Sequence, residues 1–182
     1  MRKCSEEHRK DDGNWANITL DPATAHPRLV LSADRRSVRW EYGTGDAAAG
    51  SPCVLGSEAF TSGRHYWDVD VAQGQYCAVG VSRESPPYGS AGTGAFHPAE
   101  GIWAVQQWGF QNRALTRPPT ALALPRVPRR IRVRLDCDWG EVAFRDADSG
   151  APIFAFPPAA ALAGQRLRPW FWLELGALAL VR

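Results

Sequence analysis

A chain of 182 residues, 45% hydrophobic and 22% charged, can bury one sizeable core and is too apolar for intrinsic disorder. A formal net charge of +2 gives no electrostatic reason to expect a nucleic-acid partner. Cys4, Cys53, Cys77 and Cys137 are widely spaced, with no C-x-x-C pair and no His at zinc spacing, which argues for a reducing, cytoplasmic setting and against a metal site.

Residues 1–13 (MRKCSEEHRKDDG) read as a polar lead-in. Strands are predicted at Trp15–Leu20, closed by Asp21-Pro22, then at Arg28–Ser32 and Ser37–Tyr42. Gly43–Pro52 is loop-like, and Cys53–Leu55 returns to strand character. From Trp67 to Val71, apolar Trp67, Val69 and Val71 alternate with Asp68 and Asp70, the period of a half-buried strand. Tyr76–Ser82 follows, then a long Pro-, Gly- and Ser-rich surface loop at Arg83–Glu100, then a strand at Gly101–Trp108. In Arg130–Asp136 the side chains of Ile131, Val133 and Leu135 are expected inward, with Arg130, Arg132 and Arg134 on the solvent side. Turns at Asp138-Trp139-Gly140 and Asp148-Ser149-Gly150 separate it from Glu141–Arg145 and Ile153–Phe156, and an aromatic strand spans Leu167–Leu175. Only Ala159–Leu162 suggests a helical turn, and no run is long and apolar enough to cross a bilayer. Many short strands between turn signals predict an all-β sandwich or barrel.

Nothing in the chain is arranged for covalent or acid–base chemistry. There is no G-x-S-x-G elbow. His65 and Asp68 lie in a strand already explained by packing, and Asp136 and Asp138 enter a turn instead of facing across a cleft. Gly89, Gly92 and Gly94 lead into no helix that would make a phosphate cradle. Trp67, Trp103 and Trp170 belong to the core pattern. Trp108 has the opposite parity to Trp103 and Val105 and sits among Gln106, Gln107, Gly109, Gln111 and Asn112, so Trp108 and Phe110 are candidate binding aromatics. Arg113, Tyr76, Trp172 with Glu174, and Trp40 with Tyr42 are further candidates, although Trp172 fits the core equally well.

A family resemblance rests on ordered motifs. They are Leu20-Asp21-Pro22, Ala25–Ser32 (AHPRLVLS), Ser37-Val38-Arg39, Cys53–Gly56 (CVLG) and Phe60–Val69 (FTSGRHYWDV). They continue with Val79-Gly80-Val81, Arg83-Glu84-Ser85, Gly101-Ile102-Trp103, Ala114-Leu115-Thr116, Leu135-Asp136 and Leu167-Arg168-Pro169. Together they resemble the PRY–SPRY (B30.2) domain of tripartite-motif ubiquitin ligases and butyrophilins. The resemblance implies a bent β-sandwich of two antiparallel sheets, the concanavalin-like SPRY fold, with PRY at 14–58 and SPRY at 59–182 after the lead-in.

The resemblance also implies a noncovalent protein-recognition module, the target-binding part of a ligase whose RING domain is absent from this chain. The alternative is a butyrophilin-like intracellular sensor of phosphorylated small molecules. In Fc-binding relatives a tryptophan at the place matching Trp108 contacts the ligand. Arg113 matches a base used for phosphate in butyrophilins, but the next such place holds Pro119. The expected surface combines the Trp40–Ser51 loop, Tyr76, Gln106–Arg113 and Trp172–Glu174, binding a protein or peptide. No cofactor, metal or membrane insertion is expected, and the isolated domain is expected to be monomeric. Departures from the family pattern are a short Tyr42–Cys53 segment, Leu135-Asp136-Cys137-Asp138 for Leu-Asp-Tyr-Glu, Ser82 for a Cys, and the Leu178–Arg182 ending.

Overall fold

Period-two patterning sets the layers. The computed structural model describes residues 12–43, 50–84 and 96–182. In chain order the strands are β1 (Asn14–Trp15), β2 (Leu29–Leu31), β3 (Ser37–Trp40), β4 (Cys53–Leu55), β5 (Arg64–Asp70), β6 (Tyr76–Arg83) and β7 (Ile102–Trp108). They continue as β8 (Gln111–Ala114), β9 (Thr120–Leu122), β10 (Arg130–Asp136), β11 (Glu141–Asp146), β12 (Pro152–Phe156), β13 (Leu167–Leu173) and β14 (Ala177–Val181). One sheet runs β12-β11-β10-β5-β14-β3-β2, with β1 beside β5 in parallel; the other runs β4-β13-β6-β7-β8-β9. All other pairings are antiparallel, so this is the two-sheet sandwich the resemblance implied.

The first core lies between the sheets. Trp67, Val69, Val133, Leu135 and Phe144 of the larger sheet meet Val79, Val81, Trp103, Val105 and Phe171 of the smaller one. Removing such apolar surface from water is the main force closing the sandwich. A second apolar cluster, with Leu55, Ala78, Ala104, Leu115, Trp170 and Trp172, lies on the other face of β13, β6 and β7. Trp170 is buried as expected, but in this outer cluster rather than between the sheets. The smaller sheet therefore carries apolar side chains on both faces.

Several expectations need correction. The strand predicted at Trp15–Leu20 is reduced to Asn14–Trp15, with Leu20 joined to Gly56 by a single bridge. The aromatic strand stops at Leu173, because Leu175 has φ 134° and Gly176 φ 93°, both outside extended geometry. Strands β8, β9 and β14 have no counterpart in the prediction. Arg134 points outward but is 8% exposed, shielded by its pairing with Glu141. The 44–49 part of the predicted Trp40–Ser51 loop, residues 85–95 of the long loop with Gly89, Gly92 and Gly94, and most of the lead-in with Cys4 lie outside the described residues. At Ala159–Leu162 the chain makes one tight turn, closed by Leu162 N–H to Ala159 O at 3.0 Å.

One ion pair fixes the β11–β12 hairpin. The Asp146 carboxylate accepts from Arg126 Nε at 2.9 Å and Nη2 at 3.0 Å, and from the backbone N–H of Asp148 and Ser149. The Arg126 hydrogen bonds, joined by those turn amides, hold the Asp146 carboxyl at about 2. A carboxyl lowered in the fold stabilises it above its unfolded pKa near 4, and that contribution is lost as pH falls toward 2. Asp146→Asn is therefore expected to cost about 1–3 kcal/mol at pH 7. In urea unfolding at pH 7 and pH 2.5, the gap from wild type should shrink at the lower pH; a constant gap would refute the assignment.

Candidate functional site

Parity along β7 decides what the smaller sheet shows to solvent. Trp103, Val105 and Gln107 face the inter-sheet core, where Gln107 Nε2 donates to Pro128 O. Ile102, Ala104, Gln106 and Trp108 face outward. Register then builds two neighbouring rows on that outer face. One reads Trp172, Ala78, Gln106, Arg113 across β13, β6, β7 and β8, and the next reads Tyr76, Trp108, Gln111. The small side chain of Ala78 leaves room above it. The Trp108 and Trp172 rings stack there with centroids 5.9 Å apart and planes 11° apart. Tyr76 meets Trp108 edge-on at 5.1 Å.

Arg113 locks the arrangement from the other side. Its guanidinium carbon lies 5.3 Å from the Trp108 ring centroid, and its Nε donates to Gln106 Oε1 at 2.6 Å. Gln106, expected as a contact residue, is instead 6% exposed and serves to orient Arg113. Trp172 is likewise buried, as a packing partner beneath Trp108. Trp108 itself is 43% exposed.

Phe110 owes its position to a turn. Trp108 and Gln111 pair directly, leaving Gly109-Phe110 as a two-residue hairpin loop, and Gly109 has φ 63°. Glycine at the first central position is the requirement of a tight II′ hairpin. The turn carries Phe110 out until it is 99% exposed, with exposed Gln111 beside it.

Trp40 and Tyr42 form a separate knot, packed edge-on at 4.3 Å, with the Arg28 guanidinium 5.8 Å from the Trp40 ring. Tyr42 is 75% exposed. The two knots are joined through backbone. Exposed Glu174 donates its N–H to Tyr76 O at 2.8 Å, and Trp40 N–H donates to Gly176 O at 3.0 Å. A Cβ on Gly176 would stand 1.9 Å from Gln73 O, so only glycine allows this crossing between the sheets. The expected single surface is thus two aromatic knots stitched by Glu174–Gly176. Leu175, at φ 134°, is strained where they meet, as residues at binding sites often are.

Groups suited to chemistry have structural partners instead. A His65 ring nitrogen meets Ser62 O at 2.8 Å, while Asp68 takes two hydrogen bonds from Arg132. Asp136 and Asp138 accept from the backbone N–H of Trp139 and Gly63. Burial pushes the Cys77 thiol up to about 12 and the Cys137 thiol up to about 11, far from the reactive thiolate. Among the described residues no group of three His, Cys, Asp or Glu side chains is placed to hold a metal. No helix there is long and apolar enough to cross a membrane.

A two-layer sandwich with aromatic side chains held open on one face defines a binding scaffold. Residues 64–179 match the SPRY domain model and residues 18–43 the SPRY-associated domain. Mouse butyrophilin subfamily 1 member A1 is 42% identical over 163 residues, covering 86% of this chain and 30% of that protein. Pig E3 ubiquitin-protein ligase TRIM15 is 44% identical over 163 residues, covering 85% and 34%. The crystal structure of the TRIM65 PSpry domain superposes with a TM-score of 0.77 at 27% identity, covering 93% of this chain and 91% of that one. The chain belongs to the PRY–SPRY family and spans about a third of the length of these two curated relatives.

Proposed function

We propose that this chain is a noncovalent protein-recognition module, the target-binding domain of a tripartite-motif-type ubiquitin ligase. It is a single B30.2 domain over 14–182 and acts in the cytoplasm without catalysing a reaction itself. The observation that carries this reading is the braced, half-exposed Trp108 beside the fully exposed Phe110. Aromatics held in place by neighbours bury large area on binding at little entropic cost, which is how hot spots work. The ligase setting is supported by the TRIM15 likeness. The compartment is supported by the free buried thiols of Cys53, Cys77 and Cys137.

The alternative, a butyrophilin-like sensor of phosphorylated small molecules, is supported by the butyrophilin likeness and by Arg113. A phosphate pocket needs several convergent donors, and the Arg113 guanidinium is already engaged with Gln106 and Trp108. The test is quantitative affinity capture from cell extract with wild type, Trp108→Ala and Arg130→Ala. The proposal expects proteins retained by wild type and Arg130→Ala but lost with Trp108→Ala; identical sets for all three would refute it. Saturable titration by an organic diphosphate, abolished in Arg113→Ala, would favour the sensor.

A further inference from the structure

The strand order of the two sheets leaves four ends, and three of them are covered or blunted. β4 is covered by the chain from Asp21 to His26: Asp21 N–H donates to Leu55 O, His26 N–H to Cys53 O, and Leu55 N–H to Thr24 Oγ1. β2 is three residues long, and its first N–H is held by His26 O at 2.8 Å. β12 starts at Pro152 and carries a register shift against β11, both of which discourage a further strand. β9 is different. Its register to β8 is regular, and among the described residues no strand lies beyond it.

Hydrogen-bond phase shows which groups that edge offers. Leu115 N–H donates to Ala104 O at 2.9 Å, so Gln106 and Arg113 exchange backbone hydrogen bonds two residues on. Asn112 and Ala114 then turn their backbone groups to β9, opposite Leu122 and Thr120. The N–H and C=O of Ala121, between those two, are left pointing away from the sheet. Exposed Ala121 and Ala123 alternate with half-buried Leu122 and Leu124, so the extended pattern runs on and repeats the open pair at Ala123. From Pro118 to Pro125 the chain carries no charge that would repel a neighbour.

We propose that β9 takes an extended segment of a partner protein as an added strand, apolar at its centre and acidic at its flanks. Main-chain hydrogen bonds to Ala121 and Ala123 would hold it, and side-chain pockets would select it, as in other cases of strand addition. The pocket lies at the end of the edge. A groove of about 270 Å³ is walled by Leu124, Pro125 and Pro128 on one side and Pro152 and Ile153 on the other. It is apolar and receives a leucine- or phenylalanine-sized side chain. The acidic flanks answer exposed Arg117, just before the edge, and exposed Arg129, next to Pro128 of the groove. Among the described residues neither arginine has an ion-pair partner. This edge lies two strands from Trp108, and its test needs no partner of the aromatic face, so either site can fail without the other.

The test probes the full chain with an immobilised array of random ten-residue peptides, then titrates the selected peptides free in solution. Selected peptides should carry apolar residues at alternate positions, with Asp or Glu to either side. Ala121→Pro removes the outward N–H and should weaken their binding about tenfold or more. Ala121→Ser keeps that N–H and should leave their binding within about twofold. No selected peptide, peptides without the pattern, or peptides that bind Ala121→Pro as tightly as wild type would each overturn the proposal. Should Ala121→Pro fail to fold, amide hydrogen exchange of wild type decides: slowing at Ala121 and Ala123 on adding a selected peptide supports the added strand, and unchanged exchange there overturns it.

Discussion

Trp108→Ala should abolish partner binding while leaving the fold intact. The ring is the part of the aromatic stack that reaches solvent, with Trp172 beneath it and Arg113 and Tyr76 at its edges. Truncation removes the surface a partner would cover and frees the Arg113 side chain from its packing. A hot-spot loss of about 2 kcal/mol or more, some thirtyfold in Kd, is the expected size. Because Trp108 is 43% exposed, its loss should change the thermal midpoint little. Trp172→Ala is the instructive contrast: buried beneath the stack, it should lower stability and binding together. Isothermal titration with a captured partner, beside thermal unfolding of each variant, separates the two effects. Unchanged affinity in Trp108→Ala would remove the site.

Gly80→Ala should be among the most damaging single-methyl changes to the fold. Gly80 lies in the middle of the smaller sheet, between Trp170 on β13 and Ala104 on β7. A Cβ there would sit 2.0 Å from the Trp103 carbonyl oxygen and 2.7 Å from the Ala104 Cα, both backbone atoms that cannot step aside. Elsewhere in a strand, glycine is the weaker choice and alanine would help. Here overpacking wins, and a loss of about 3 kcal/mol or more is expected. For a chain of this size that is a fall of roughly 6–12 °C in Tm, read by thermal unfolding. A midpoint within about 2 °C of wild type would show that β6 and β7 are less tightly apposed than described.

Sequence patterning revealed the layers because period-two alternation survives wherever one face is buried, as at Trp67–Val71 and Arg130–Asp136. It failed where pairing, not side-chain pattern, makes the strand. Gln111–Ala114 is polar except for Ala114 and is a strand because β7 and β9 hydrogen-bond to it. The same limit hid β14, whose short Ala-Leu alternation follows the strained Leu175-Gly176 crossing. At the candidate site, parity alone pointed to Trp108 outward, and the Gly109 turn exposed Phe110. Parity could not show that Gln106 would be spent on Arg113, because that depends on the register between β7 and β8. Nor could it show Arg134 buried, since the groups that shield it come from β11 and from Asp12, more than a hundred residues upstream.

The eight tryptophans offer the most direct measurement. In an NMR titration of the isotopically labelled chain with a captured partner, the indole N–H signals of Trp108 and of Trp172 beneath it should shift or broaden first. Those of Trp15 and Trp139, half-exposed on the other sheet, should stay in place. Shifts confined to Trp15 or Trp139, with Trp108 unmoved at saturation, would contradict recognition through the aromatic face of the smaller sheet.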